Sequence, residues 1–189
     1  MITHKGTKTI KTERLLLRRF TVNDAEQMFE NWANDKRVSK FLTWAPHGSV
    51  DNTRELLEQW CAAYDNDNCY NWVIEYEGQA IGNIAVVDFS DRSERTALGY
   101  SMGYDYWNKG IMTEAAKAVT DYLFAEVGVN RIEISHAVKN PASGRVAQKC
   151  GYKYEGTRRE YFKTYAGEFL DIAYYGIIKS DWEKQHQKG

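Results

Sequence analysis

Apolar and polar positions change period several times along the chain, and each change marks an element. RLLLRRF (residues 14–20) is a short apolar run suited to a strand. Behind it, in TVNDAEQMFENW, Asp24 stands near a helix start with Ala25, Met28, Phe29 and Trp32 on one face. Residues 36–64 open as a polar, aromatic-dotted stretch holding Trp44, Pro46 and His47. They continue as SVDNTRELLEQWCAAY, where Leu56, Leu57, Trp60 and Tyr64 recur at helical spacing, so two helices with an irregular joint are expected. Residues 71–77 and 79–88 alternate as strands around Glu77-Gly78, a tight hairpin signal, and residues 97–107 read as a third strand of an antiparallel meander. Met112, Ala115, Ala116, Val119, Tyr122, Leu123 and Val127 mark one long amphipathic helix ending at Gly128. Residues 131–136 form a strand, Asn140-Pro141 opens a helix that closes near Gly151, and residues 152–163 and 168–179 make a long hairpin around Ala166-Gly167. The order βααβββαβαββ predicts a mixed α/β or α+β sheet flanked by helices.

Composition narrows the partners. The 189 residues suit a single domain, with an ordered core over about 10–183 and short tails. A net charge of −1 gives no global attraction to nucleic acid or an acidic membrane. Cys61, Cys69 and Cys150 are odd in number and form no CxxC, and the N-terminus lacks a signal-like apolar run, so a reduced, cytoplasmic protein is expected. No stretch approaches the roughly 20 apolar residues of a membrane span. The histidines at 4, 47, 136 and 186 are too scattered to propose a metal site.

The candidate chemistry lies at the third strand and the helix after it. In LGYSMGYDYW, Leu98, Tyr100, Met102, Tyr104 and Tyr106 point one way, leaving Gly99, Ser101 and Gly103 to make an almost bare opposite face. Glycine inside a strand marks a close approach, by a ligand or by the protein itself. Lys109-Gly110-Ile111-Met112-Thr113 then begins the long helix, whose first turn presents unpaired N–H groups and positive dipole to an anion; Gly110 is alternatively a plain turn residue. Neither GxxxxGK[ST] nor GxGxxG is present. An elongated ligand with phosphates at one end and amides to pair with a strand fits both features, and coenzyme A has that shape.

TERLLLRRFTVNDA, IGNIAVVD, LGYSMGYDYWNKGIMTEAA, NRIEI, NPASGRVAQKCGYKYEGTRRE and YYGIIKSDW together resemble the GNAT superfamily of acetyl-CoA-dependent N-acetyltransferases, most closely its Rim-type branch of ribosomal-protein N-terminal acetyltransferases. Trp107, Asn108, Lys109, Gly110, Ile111 and Met112 occupy the superfamily's pyrophosphate loop, [QR]xxGx[GA], and depart from it at two of three signature positions. The resemblance implies that N–H groups from Lys109 through Thr113 cradle the pyrophosphate. It further implies that the Met102–Gly103 backbone pairs with pantetheine and orients the thioester, and that Asn140 contacts pantetheine. Asn140 and Pro141 also fit a plain helix start, as cap and first residue. The superfamily's usual tyrosine proton donor is replaced by Ala147, and Ser143 is the candidate in its place, or else an ordinary helix-start serine. Glu160 is the candidate base, or else a solvated strand charge, with Asp171 and Glu75 as backups; His136 ends a strand near the cleft, where a lone histidine is alternatively structural. Segment 41–49, with Trp44 and His47, and the last hairpin are expected to receive the acceptor, unless those two side chains simply pack the loop.

Direct acetyl transfer to a primary amine, without an enzyme-bound intermediate, is the implied reaction. A protein N-terminal α-amine is favoured by the branch; a polyamine, amino acid or antibiotic, and a non-catalytic acyl-CoA-binding module, are the alternatives. Asp65, Asp67, Asp88 and Asp91 would attract a basic protein if they cluster. The branch also implies a homodimer.

Overall fold

The computed structural model describes residues 2–187. An eight-stranded sheet runs through it in the order β1-β2-β3-β4-β5-β6-β8-β7. β1 (Ile10–Lys11), β2 (Leu15–Arg18), β3 (Asn71–Tyr76), β4 (Gln79–Ser90) and β5 (Arg95–Met102) are successively antiparallel. β6 (Arg131–Ala137) joins β5 in parallel, and β8 (Phe169–Ile178) and β7 (Lys153–Lys163) close the sheet antiparallel. A parallel neighbour needs a crossover, which α4 (Ile111–Tyr122) supplies. α1 (Ala25–Met28), α2 (Lys36–Ser39) and α3 (Val50–Ala63) fill the connection from β2 to β3; α5 (Pro141–Lys149) links β6 to β7, and α6 (Lys179–His186) follows β8. This is the mixed, mostly antiparallel α/β sheet expected from the sequence.

Strand alternation divides the core between the two faces. Trp72 and Ile74 of β3 pack with Ile111, Ala115 and Val119 of α4, while Val73 between them meets Phe20, Met28, Trp32 and Leu57 on the α1–α3 side. Full burial of side chains this size contributes about 1.5–3 kcal/mol each, so both helical layers are held firmly to the sheet. The β3–β4 connection turns on Glu77 (φ 51°) and Gly78 (φ 75°), both left-handed, as a two-residue hairpin requires.

Three features depart from the sequence reading. The strand expected to reach residue 107 stops at Met102, because the Trp107 indole N–H donates to the Met102 carbonyl (2.7 Å) and curls residues 104–106 into a tight turn. β1 is two residues long, too short to show a period. α6 is almost wholly polar and docks through Trp182, which stacks on Phe124 (centroids 5.4 Å apart) and donates to Asp121 (2.6 Å).

Candidate functional site

β5 and β6 pair only as far as Leu98 and Ile134, although β5 runs on to Met102 and β6 to Ala137. Beyond that point the sheet splits. Gly103 N–H donates to the Ile81 carbonyl on β4 (2.9 Å), so by strand alternation the backbone groups of Tyr100 and Met102 turn the other way, into the gap. A cavity of about 330 Å3 opens there, bounded by residues 98–102 of β5, 135–137 of β6, and Val38 and Phe41 from the α2 region.

The cavity runs on to the start of α4. Asn108 (φ 60°) and Gly110 (φ 76°) are both left-handed, Gly110 precedes the helix, and no side chain caps it. First-turn N–H groups left this way form an anion-binding concavity. Asn108, Gly110, Ile111, Met112 and Thr113 line the cavity here, as does Trp107 beside them. Lys109 does not; it is exposed, with Nζ 5.5 Å from the Tyr106 ring centroid. Glu114 holds the turn by accepting from the Thr12 hydroxyl (2.6 Å), Arg14 N (3.0 Å) and Arg14 Nε (2.7 Å), while Arg14 Nη1 donates to the Lys109 carbonyl (3.1 Å). Burial opposes the charge on Glu114, but these hydrogen bonds outweigh it and hold the carboxyl below its ordinary range. Its negative charge is thus committed to the β1–β2 connection.

The opposite wall is the first turn of α5. Pro141 occupies its first turn as expected, but Asn140 makes no side-chain cap, so its amide is not spent on the helix and lines the cavity. Ser143 also lines it, with Oγ 2.8 Å from the Tyr100 hydroxyl. Tyr100 was not singled out as functional in the sequence: its partner lies 43 positions away, and it stands on the face opposite the bare one. His136 donates from Nδ1 to the Ala137 carbonyl (2.8 Å), which makes Nε2 an acceptor. That nitrogen is buried without a partner and packs on Gly144, where a Cβ would sit 2.6 Å from it.

Several other expected residues stand apart from the cavity. Gly103 lies beneath the α1–α2 connection, where a Cβ would meet the Asn31 carbonyl oxygen at 2.5 Å; its bareness accommodates the protein's own backbone. Trp44 packs into the α1–α3 core, 5.8 Å by ring centroids from His47. His47 Nδ1 pairs with Thr53 Oγ1 (2.7 Å), and burial lowers its pKa. Neither lines the cavity; Arg37, Val38, Phe41 and Leu42 represent that region instead.

Glu160 is exposed on a bulge of β7, left-handed at φ 47°, and its N–H donates to Asp171 Oδ1 (2.8 Å). The Glu160 backbone and the Asp171 carboxylate thus meet at one corner of the last hairpin, and neither residue lines the cavity. Glu75 is taken by Arg18 Nε (2.7 Å). Cys150 is 5% exposed, and burial pushes its thiol up to about 12. Asp91 lies beyond the end of β5 opposite Met102, beside His4, and Asp88 pairs with Arg95 (2.5 Å), so these acidic residues belong to the far end of the sheet. Among the described residues no cluster of three His, Cys, Asp or Glu could hold a metal ion, and no helix is long and apolar enough to cross a membrane.

Comparison with known proteins agrees with this geometry. Residues 14–153 match the family model described as the acetyltransferase (GNAT) domain. The ribosomal-protein-serine acetyltransferase of Escherichia coli (strain K12) is 24% identical over 171 residues, covering 89% of this chain and 92% of the relative. A GNAT-family acetyltransferase from Bacillus anthracis superposes with a TM-score of 0.79 at 27% identity, over 92% of this chain and 99% of that one. The microcin C7 self-immunity acetyltransferase MccE, solved with acetyl-CoA and AMP, gives 0.79 at 22% identity, over 94% and 98%. The split between β5 and β6, the open start of α4 and a family match across most of the sequence lead to one conclusion: the chain belongs to the GNAT family and is an N-acetyltransferase.

Proposed function

We propose that this acetyltransferase transfers the acetyl group of acetyl-CoA directly to a primary amine, in particular the N-terminal α-amine of a protein. The observation that carries the donor assignment is the unpaired edge of β5 leading into an uncapped helix start. Phosphates fit the N–H groups of residues 108–113, and an amide-bearing arm fits the Tyr100 and Met102 backbone together with the free Asn140 side chain. Acetyl-CoA supplies the acyl group as an activated thioester.

Each step then falls to a group of this chain. Met102 N–H, turned into the gap, polarises the acyl carbonyl as negative charge develops on it. Ser143 hydroxyl hydrogen-bonds the departing sulfur. The Glu160–Asp171 corner takes the amine proton through water, since neither carboxylate lines the cavity. Glu160 is held in a backbone conformation that costs energy, as residues at working sites often are. Cys150, buried and protonated, is no nucleophile. The acceptor assignment is supported by the name of the Escherichia coli relative and by the cavity's outer wall, where Phe41 packs with Leu170 and Phe162 of the last hairpin.

Thiol release from acetyl-CoA against peptides of varied N-terminal residue, polyamines and aminoglycosides tests this reading. Peptides should support turnover, and Ser143→Ala and Glu160→Gln should each lower kcat about a hundredfold. Turnover with polyamines or aminoglycosides alone would overturn the acceptor assignment, and wild-type rates in both variants would overturn the proton path.

A further inference from the structure

Tyr100 and Ser143 form a hydroxyl pair across the split in the sheet, one residue from β5 and one from the first turn of α5, both on the cavity wall. Either hydroxyl can donate in the short bond, and the phenol proton has a second acceptor in the Ser143 carbonyl. The Tyr100 oxygen is 2.8 Å from Ser143 Oγ and 3.2 Å from the Ser143 carbonyl oxygen. A phenol has one proton, and of its two acceptors Ser143 Oγ lies nearer the roughly 2.7–2.8 Å at which O–H···O bonds centre; consider that proton on Oγ. The serine proton is then free to leave the pair. In the reverse arrangement it would be spent on the tyrosine oxygen and nothing would face the cavity.

We infer that Tyr100 is a positioning residue: by donating to Ser143 Oγ it turns the serine hydroxyl into the cavity, as a hydrogen-bond donor to the sulfur of coenzyme A. The inference rests on the acetyl-CoA reading given above. Tyr100 is well placed for the task. Its strand is held in register by pairing with Ile84 on β4, and a chain of two hydroxyls polarises the outer one more than a lone serine would be. Burial also raises the phenol's pKa, so the donor keeps its proton as the thiolate forms. The proton stays on tyrosine throughout; Ser143 alone faces the sulfur.

The test uses coenzyme A itself, followed by the ultraviolet absorbance of its thiolate as pH is raised in the presence of the protein. A hydrogen bond to a charged sulfur should make the bound thiol ionise about tenfold more readily than the free one. Tyr100→Phe and Ser143→Ala should each abolish that gain, and the double variant should lose nothing further, as expected for two parts of one device. Acetyl transfer by Tyr100→Phe should show a kcat about tenfold lower with KM for acetyl-CoA unchanged. Tyr152→Phe is the control for loosened packing, because the Tyr152 hydroxyl pairs with Thr120 (2.8 Å) inside the core; it should leave the thiol titration at the wild-type position. A Tyr100→Phe protein whose bound thiol titrates like wild type, or losses that multiply in the double variant, would overturn the inference alone. Failure of the wild type to bind coenzyme A would overturn the reading of the cavity and this inference with it.

Discussion

Gly103→Ala separates two explanations of the bare face on β5. Gly103 has ordinary backbone angles (φ −53°, ψ 139°), so alanine adds no conformational strain. Its Cβ would sit 2.5 Å from the Asn31 carbonyl oxygen, 3.2 Å from Tyr106 Cδ2 and 3.4 Å from the Asn31 carbonyl carbon. Two of these three atoms are backbone, so the segment after α1 must back away from the sheet. Overpacking of this kind costs about 1–3 kcal/mol. With a urea m-value of about 2 kcal/mol per molar, the unfolding midpoint should fall by about 1 M. Gly99→Ala is the matched comparison. Its Cβ would meet Val87 Cγ1 at 2.7 Å, but Val87 is 68% exposed and can rotate, so the loss should stay below about 0.5 kcal/mol. Equilibrium urea unfolding of both variants, with KM for acetyl-CoA measured alongside, is the assay. An unchanged midpoint for Gly103→Ala together with a raised KM would refute the packing account and return Gly103 to the ligand.

Two further outcomes follow from the charged and thiol groups. Arg18 binds Asp24 through two nitrogens (2.9 and 2.7 Å), and Asp24 also accepts from Thr21 N (2.7 Å). Burial works against the Asp24 charge, but the Arg18 and Thr21 hydrogen bonds outweigh it and depress the pKa, so its stabilisation is full above the ordinary carboxylate range and fades as pH falls through the lower folded-state value. Asp24→Asn should therefore cost about 2 kcal/mol at pH 7, with the gap to wild type closing below about pH 4 in urea titrations; a gap independent of pH would contradict this. Burial raises the pKa of all three thiols, Cys150 being deepest, so at pH 8 a thiol reagent should label Cys61 and Cys69 first and Cys150 only on unfolding; prompt labelling of Cys150 in the native protein would contradict its placement.

Much of the fold was legible because its signals are local. Glu77-Gly78 announced its hairpin through the left-handed turn that the pair adopts, and Pro141 marked the start of α5. The strand-to-helix junction pointed to the cavity itself, which Trp107, Asn108, Gly110, Ile111, Met112 and Thr113 line with Met102, Asn140 and Ser143. What escaped the sequence depended on contacts between distant residues. The end of β5 is set by one indole hydrogen bond, Gly103 is bare because of a backbone some 70 positions earlier, and Tyr100 acquires meaning only opposite Ser143. For Trp44 and His47 the sequence left acceptor binding and loop packing both open; Trp44 packs on the α1–α3 side, His47 pairs with Thr53, and neither lines the cavity. The bond from the Glu160 backbone N–H to the Asp171 carboxylate joins residues on two different strands, which no local pattern could announce.

The most direct test of the account is an amide-resolved NMR titration of isotope-labelled protein with acetyl-CoA and, separately, with acetyl-pantetheine, which lacks the pyrophosphate. The account predicts that Tyr100, Met102 and Ser143 respond to both ligands, while the amides of residues 108–113 respond to acetyl-CoA alone. Equal responses of residues 108–113 to the two ligands, or a response centred away from the β5–β6 split, would contradict it.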